Sequence, residues 1–394
     1  MHSIRYDTVS PSSSLHPSSM FFSVSTGSSA ALSLPLRCNA KISSQRVVAA
    51  DAFPSFLPRE MHTIEDPFAR KFAMRIQRLP VPVNISSFYF LQFLASSFGI
   101  LHTVFASLLC KVKRVRFSEN PIMSSCVKPM VQSKETPVVL LHGFDSSCLE
   151  WRYVLPLLEE SGIETWAIDI LGWGFSDLEK LPPCDVVSKR DHFYQFWKYY
   201  IRRPMTLVGP SLGSAVAIDF AVNYPEAVEK LVLIGASVYA EGTGKLATLP
   251  RSVAYAGVNL LKSFPLRLYA TYLTFTNIPF STSLDWTNVG RLHCLLPWWN
   301  DATVDFMTSG GYNVSPLIGK VKQKTLIIWG ENDRIISNKF AVQLHCELPD
   351  ATIRQIPHCG HLPHLERPDS TIKLIVEFVQ REEAKQLNPY VAKV

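Results

Sequence analysis

Charge is scarce in this chain: only 18% of its 394 residues are Asp, Glu, Lys or Arg, against 47% hydrophobic. That is the apolar edge of globular composition, so part of the apolarity calls for something beyond an ordinary core. The net charge of +6 comes partly from basic clusters before Val81 and after Cys110. No Lys/Arg stripe interleaved with aromatics accompanies it, which argues against nucleic acid as a partner. The eight cysteines (Cys38, Cys110, Cys126, Cys148, Cys184, Cys294, Cys346, Cys359) contain no CxxC pair and no Cys/His set with zinc spacing. Neither a metal, nor a cofactor, nor a disulfide framework is expected, and the usage suits a reducing compartment.

Acids are nearly missing from the start of the chain. Residues 1–50 hold one, Asp7, beside Arg5, Arg37, Lys41, Arg46 and serine-rich runs. This is the composition of a transit peptide, expected over residues 1–60 without fixed structure, and the serine enrichment points to the chloroplast. A secretory signal would need an unbroken apolar run, which Ser, Pro and Gly interrupt. From Leu79 to Cys110 no residue is formally charged, and FYFLQFLASSFGILHTVFASLLC is long enough to cross a bilayer core of about 30 Å. Residues 61–116 are therefore expected to be a basic-flanked, membrane-associated segment. Basic residues on both sides leave its orientation open, and Gln92, His102 and several serines suit an interfacial helix as well as a span.

After Pro137 the pattern changes. Short, nearly continuous apolar runs at 138–143, 165–170, 205–209, 230–235, 324–330 and 351–357 alternate with helical stretches. Strands buried on both faces read this way, so we expect an α/β fold: a mostly parallel sheet with helices on both faces, over residues 117–390. About ninety residues separate the fourth and fifth of these runs. That is too long for a loop and predicts an inserted helical cap at about 238–318. It is rich in aromatic and aliphatic residues, two thirds of which are expected to be cap core and the rest to line a greasy pocket.

The run at 205–209 leads into Gly209, Pro210, Ser211, Leu212, Gly213 and then a helical stretch. A strand, a sharp turn and a helix are the setting of a nucleophile elbow, with glycines where side chains would collide. A serine hydroxyl needs a base held by a third group. Downstream, Glu331 and Asp333 end one strand, and His358, His361 and His364 follow the last, all at the edge where open α/β sheets place their sites.

HGFDSS, DILGWGFSD, LVGPSLG, WGENDRIIS and CGHLPHLERP together resemble the α/β-hydrolase superfamily from about residue 137 to 380. The resemblance implies Asp333 as the triad acid and His361 as the base, over the rivals Glu331, His358 and His364. It implies the backbone N–H groups of Phe144 and Leu212 as the oxyanion hole. His142 and Asp169 are read as structural, the first shaping its loop and the second anchoring a turn. The sequence is also similar to a plant chloroplast group that includes chlorophyll- and pheophytin-dephytylating hydrolases. This implies a serine esterase working through an acyl-enzyme on a lipophilic acyl, prenyl or phytyl ester at a chloroplast membrane. A slow-turnover receptor with an intact triad and an acyltransferase are the other readings. Pro210, where many relatives carry His, Asn, Gln or Tyr, departs from the pattern.

Overall fold

The computed structural model describes residues 53–82 and 121–387; the expected transit peptide up to residue 52 and the uncharged stretch from residue 83 on lie outside them. Eight strands form one sheet, β1 (Gln77–Val81), β2 (Ile122–Val127), β3 (Val138–Leu140), β4 (Thr165–Ile168), β5 (Met205–Pro210), β6 (Val228–Ile234), β7 (Lys324–Gly330) and β8 (Ala351–Ile356). Their order is β1-β2-β4-β3-β5-β6-β7-β8. The six strands from β3 to β8 run parallel, and β1 and β2 add an antiparallel margin.

Helices cover the sheet: α1 (Pro67–Ala73), α2 (Val154–Glu160), α3 (Val186–Phe196) and α4 (Leu212–Asn223) before the cap, then α9 (Asn338–Glu347), α10 (Pro363–Glu366) and α11 (Pro368–Leu387) after it. Asp185 caps α3 by accepting the Ser188 N–H at 2.7 Å, and Asp66 caps α1 with Pro67 at its first position. In α4, nine of twelve residues are buried and five of those are Gly, Ser or Ala. Small side chains let that helix lie close against the strands beside the elbow. Between β6 and β7 lie α5 (Arg251–Leu261), α6 (Phe264–Thr274), α7 (Phe280–Arg291) and α8 (Trp299–Thr308), the cap.

Two departures from the sequence reading have clear causes. First, the domain starts well before residue 117. Residues 77–81 pair with 122–127, and Met61, Ala69, Phe72 and Ile76 are buried in the core shared by Trp151 and Phe175. Pro80 hid β1, because proline in a strand is tolerated only where, as here, the strand is at an edge. Ser124 and Ser125 broke the apolar run of β2, yet both are buried and satisfied, by the His192 ring at 2.5 Å and by the Asp169 carboxylate. Second, the cap has fewer core residues than expected. Phe275, Leu296, Trp299 and Phe306 are buried, but Leu260, Tyr269 and Tyr272 are exposed, and α6 buries no residue fully.

The early segment is pinned by a buried pair. Asp66 accepts from Arg152 Nε at 2.6 Å, both side chains nearly inaccessible, and from the Tyr153 hydroxyl at 2.5 Å. Burial alone would raise the Asp66 carboxyl, but Arg152 and these hydrogen bonds hold it below the ordinary value. Asp66→Ala would leave the guanidinium buried and uncompensated, so we expect a stability loss of about 3–5 kcal/mol in denaturant melts. A loss below about 1 kcal/mol would contradict the account of this pair.

Candidate active site

The parallel strands deliver the site to one edge. Ser211 follows β5, Asp333 follows β7, His361 follows β8, and Phe144 follows β3. Ser211 sits at φ 49°, ψ −120°, a region costly for any residue with a Cβ. Its N–H donates to the Ile234 carbonyl at 2.8 Å, tying the turn to β6. The glycines on either side are compulsory: a Cβ on Gly209 would stand 2.2 Å from the Gly213 carbonyl oxygen, and one on Gly213 would stand 2.6 Å from the His142 oxygen. Pro210 ends β5 with its side chain buried, and proline costs no hydrogen bond where no donor is required.

His361 and Asp333 meet directly, Nδ1 to Oδ2 at 2.7 Å, both side chains almost fully buried. The other Asp333 oxygen accepts the Ile335 and Ile336 N–H groups at 2.8 and 2.9 Å. A carboxylate so held accepts the His361 Nδ1–H, which leaves Nε2 as the nitrogen able to accept a proton. Two contacts fix the ring's loop: the His361 N–H donates to the Thr274 carbonyl at 2.7 Å, and the Gly360 N–H to Glu366 Oε2 at 2.8 Å. The rivals are elsewhere. His358 is exposed, with Glu331 3.9 Å from its ring, and the His358 N–H donates to Glu331 at 2.9 Å. His364 is buried against Glu150 at 2.9 Å and packs on Trp151.

The turn after β3 is held by side chains. His142 Nδ1–H donates to the Gly143 carbonyl at 2.8 Å, and its Nε2 accepts the Ile170 N–H at 3.0 Å. Burial lowers the His142 pKa, which keeps the ring neutral as these bonds require. The Gly143 carbonyl and the Phe144 N–H belong to one trans peptide and point opposite ways. His142 therefore aims the Phe144 donor by fixing the other end of its peptide. Asp169 anchors the neighbouring turn, accepting the Cys148 and Phe175 N–H groups at 2.6 and 2.8 Å. A Cβ on Gly174 would fall 2.0 Å from its carboxyl carbon.

Two residues of the site were not found from sequence. Glu150 is buried, accepts the Gly143 N–H at 3.0 Å and pairs with His364. Burial works to raise its carboxyl, but the His364 ring and the Gly143 N–H outweigh it and the pKa lies below the usual value. Its signal was a charge inside the apolar run Cys148, Leu149, Glu150, Trp151. Asp145, at φ 50°, accepts from Arg267, from His293 Nε2 at 2.9 Å and from Trp299 Nε1 at 2.7 Å. Burial raises the Asp145 carboxyl, yet Arg267 and the two ring N–H groups bring it down to about 2. Asp145, His293 and Cys294 lie close enough to suggest a metal site. Both carboxylate oxygens are already taken by N–H donors, however, and burial pushes the Cys294 thiol up, so it stays protonated. The donor set does not fit a metal.

Ser211, His361, Phe144 and Glu150 line one cavity of about 300 Å³, together with Leu149, Phe275, Trp286, Val289, Ile335 and Leu365. Apolar walls with a few convergent polar groups are the usual form of a small-molecule site.

Residues 136–368 match the family model described as alpha/beta hydrolase fold. The chain is 56% identical over 336 residues to the alpha/beta hydrolase domain-containing protein VTE7 of Arabidopsis thaliana, covering 85% of this chain and 93% of that one. It is 32% identical over 187 residues to a 2-hydroxy-6-oxononadienedioate/2-hydroxy-6-oxononatrienedioate hydrolase of Comamonas testosteroni, covering 44% and 62%. Among solved structures it resembles a thermophilic esterase from Thermogutta terrifontis with a TM-score of 0.58 at 18% identity, covering 67% of this chain and 95% of that one. The chain belongs to the α/β-hydrolase fold family and is a hydrolase.

Proposed function

We propose that the protein is a serine hydrolase that cleaves a lipophilic carboxylic ester through an acyl-enzyme on Ser211. The observation that carries the reading is Ser211 on its elbow, lining one cavity with a His361 whose Nδ1 is held by Asp333. His361 Nε2 takes the serine proton as the hydroxyl attacks the ester carbonyl, then returns it to the leaving alcohol; a water activated by the same nitrogen frees the acid. The Phe144 and Leu212 N–H groups receive the oxyanion, and the positive end of α4 favours the same charge. Among the described residues the Ser211 hydroxyl makes no hydrogen bond, and such contacts commonly tighten only in the loaded site.

The lipophilic part rests on the cavity walls and on the cap's outer face, where Leu260, Tyr269, Tyr272 and Phe280 are exposed. An apolar surface beside a site mouth suits a bilayer-borne substrate. Among the described residues no helix is long and apolar enough to cross a membrane. Val81 pairs with Ile122, and β2 runs antiparallel to β4. The chain that carries the uncharged stretch therefore leaves and re-enters the sheet at its carboxyl edge, the edge that carries Ser211. That topology supports contact with a membrane on the substrate's side, and the Ser-rich, acid-poor start supports a chloroplast membrane as its place.

Purified protein should be labelled by a fluorophosphonate probe and Ser211→Ala should lose the label; labelling that survives the substitution overturns the assignment. With p-nitrophenyl esters of rising chain length, multiple turnovers with kcat/KM climbing toward long acyl chains are expected. A burst of one equivalent without turnover would favour a receptor, and product appearing only with an added alcohol would favour acyl transfer.

A further inference from the structure

Helix α6 lies across the site and grips both of its loops. Near its start, Arg267 pairs with Asp145, the residue after the oxyanion donor Phe144. At its end, the Thr274 carbonyl accepts the His361 N–H at 2.7 Å. These grips stand about 10 Å apart along the helix. Since α6 buries no residue fully, polar contacts rather than a deep apolar seat give its hold direction.

Asp145 is unusual in three respects. Its φ of 50° is left-handed, which an Asp tolerates but does not favour. Its carboxylate is buried, and every donor to it comes from the cap: Arg267 on α6, His293 and, at 4.0 Å, the Cys294 thiol in the turn after α7, and Trp299 at the start of α8. The loop is thus held from two sides, by His142 and Glu150 from the domain and, through Asp145, by the cap.

We propose that Asp145 and Arg267 are a positioning pair through which the seated cap sets the oxyanion hole. Building on the serine-hydrolase reading, the pair makes catalysis conditional on cap closure. With the cap seated, the ion pair keeps residue 145 in its left-handed conformation and the Phe144 N–H stays aimed at the cavity. With the cap lifted, the carboxylate loses these donors, residue 145 relaxes, and the Phe144 N–H, held from the domain side alone by His142 and Glu150, is less closely aimed at the cavity. The Thr274 contact releases the His361 loop in the same motion.

The test uses the full-length protein, p-nitrophenyl acetate and the fluorophosphonate probe. The acetate is too small to need the cap for binding, so a defect reads the site itself. Arg267→Met and Asp145→Asn should each lower kcat about 10- to 100-fold with KM little changed, as a displaced oxyanion donor does. Arg267→Lys should recover much of the rate. The Arg267→Met/Asp145→Asn double variant should be no slower than the worse single one, because both remove the same contact. Should Asp145→Asn fail to fold, Arg267→Met carries the test, its melting temperature giving the folded fraction. Wild-type kcat in a folded Arg267→Met overturns the proposal, as does a defect confined to KM for long-chain esters, which would make Arg267 merely part of the pocket wall. A wild-type protein inert to the probe overturns the hydrolase reading itself, and the pair's role with it.

Discussion

Asp333→Asn should lower kcat by about 10⁴ while leaving the protein folded. The size follows from which way the new amide must face. One oxygen of Asp333 accepts two backbone N–H groups, from Ile335 and Ile336, and only a carbonyl oxygen can stay there. The NH2 of the substituted side chain is therefore turned toward His361, whose Nδ1 lies 2.7 Å from that position. Facing a donor, His361 must accept at Nδ1 and carry its proton on Nε2, the nitrogen proposed to take the proton of Ser211. The ring keeps its place and loses its function as a base. The check is kcat on p-nitrophenyl butyrate with the melting temperature measured alongside. A loss below about tenfold would mean that Asp333 does not set the tautomer of the working base.

Gly235→Ala should be nearly as damaging through an unrelated cause. Gly235 has φ 51°, and a Cβ placed on it would lie 2.6 Å from the His361 carbonyl oxygen and 3.2 Å from Nδ1 of the ring. Left-handed backbone costs a side-chain-bearing residue about 1–2 kcal/mol. Relief of the clash requires the backbone of the His361 loop to move, and a shift of about 1 Å at a reacting group can cost 10²-fold in rate. We expect kcat to drop about 100-fold and the melting temperature to fall by several degrees. Unchanged kcat would mean that the loop after β8 has slack that its contacts with Thr274 and Glu366 do not suggest.

The sheet and the elbow of the candidate site were legible because their signals are local. Runs such as KTLIIWG and KLVLIG are apolar on both faces, and each parallel strand stands close to where its run predicted. The turn at Gly209 to Gly213 announced itself by glycines that the geometry makes compulsory. The family resemblance paired Asp333 with His361, 28 positions apart in the chain, and the two side chains are in contact. What stayed hidden depends on partners distant in sequence. β1 contains Pro80 and β2 contains Ser124 and Ser125, and only pairing at the sheet margin with His192 and Asp169 makes such strands stable. Asp145 reads as an ordinary turn residue until the cap, far along the chain, brings Arg267, His293 and Trp299 to it. Glu150 reads as one charge inside an apolar run until His364 and the Gly143 N–H surround it. The exposed face of α6 was equally invisible, since aromatic residues at helical spacing look alike whether they meet a core or an outer surface.

The proposed chemistry converges on one atom, the Ser211 hydroxyl oxygen. The most direct measurement mixes the protein with a long-chain p-nitrophenyl ester, quenches in acid within the first turnover, and locates the added acyl mass by peptide mass spectrometry. We predict an acyl group on the peptide carrying Ser211, lost on longer incubation as the free acid appears and absent from Ser211→Ala. Turnover without any adduct there, or an adduct on another residue, would contradict the account.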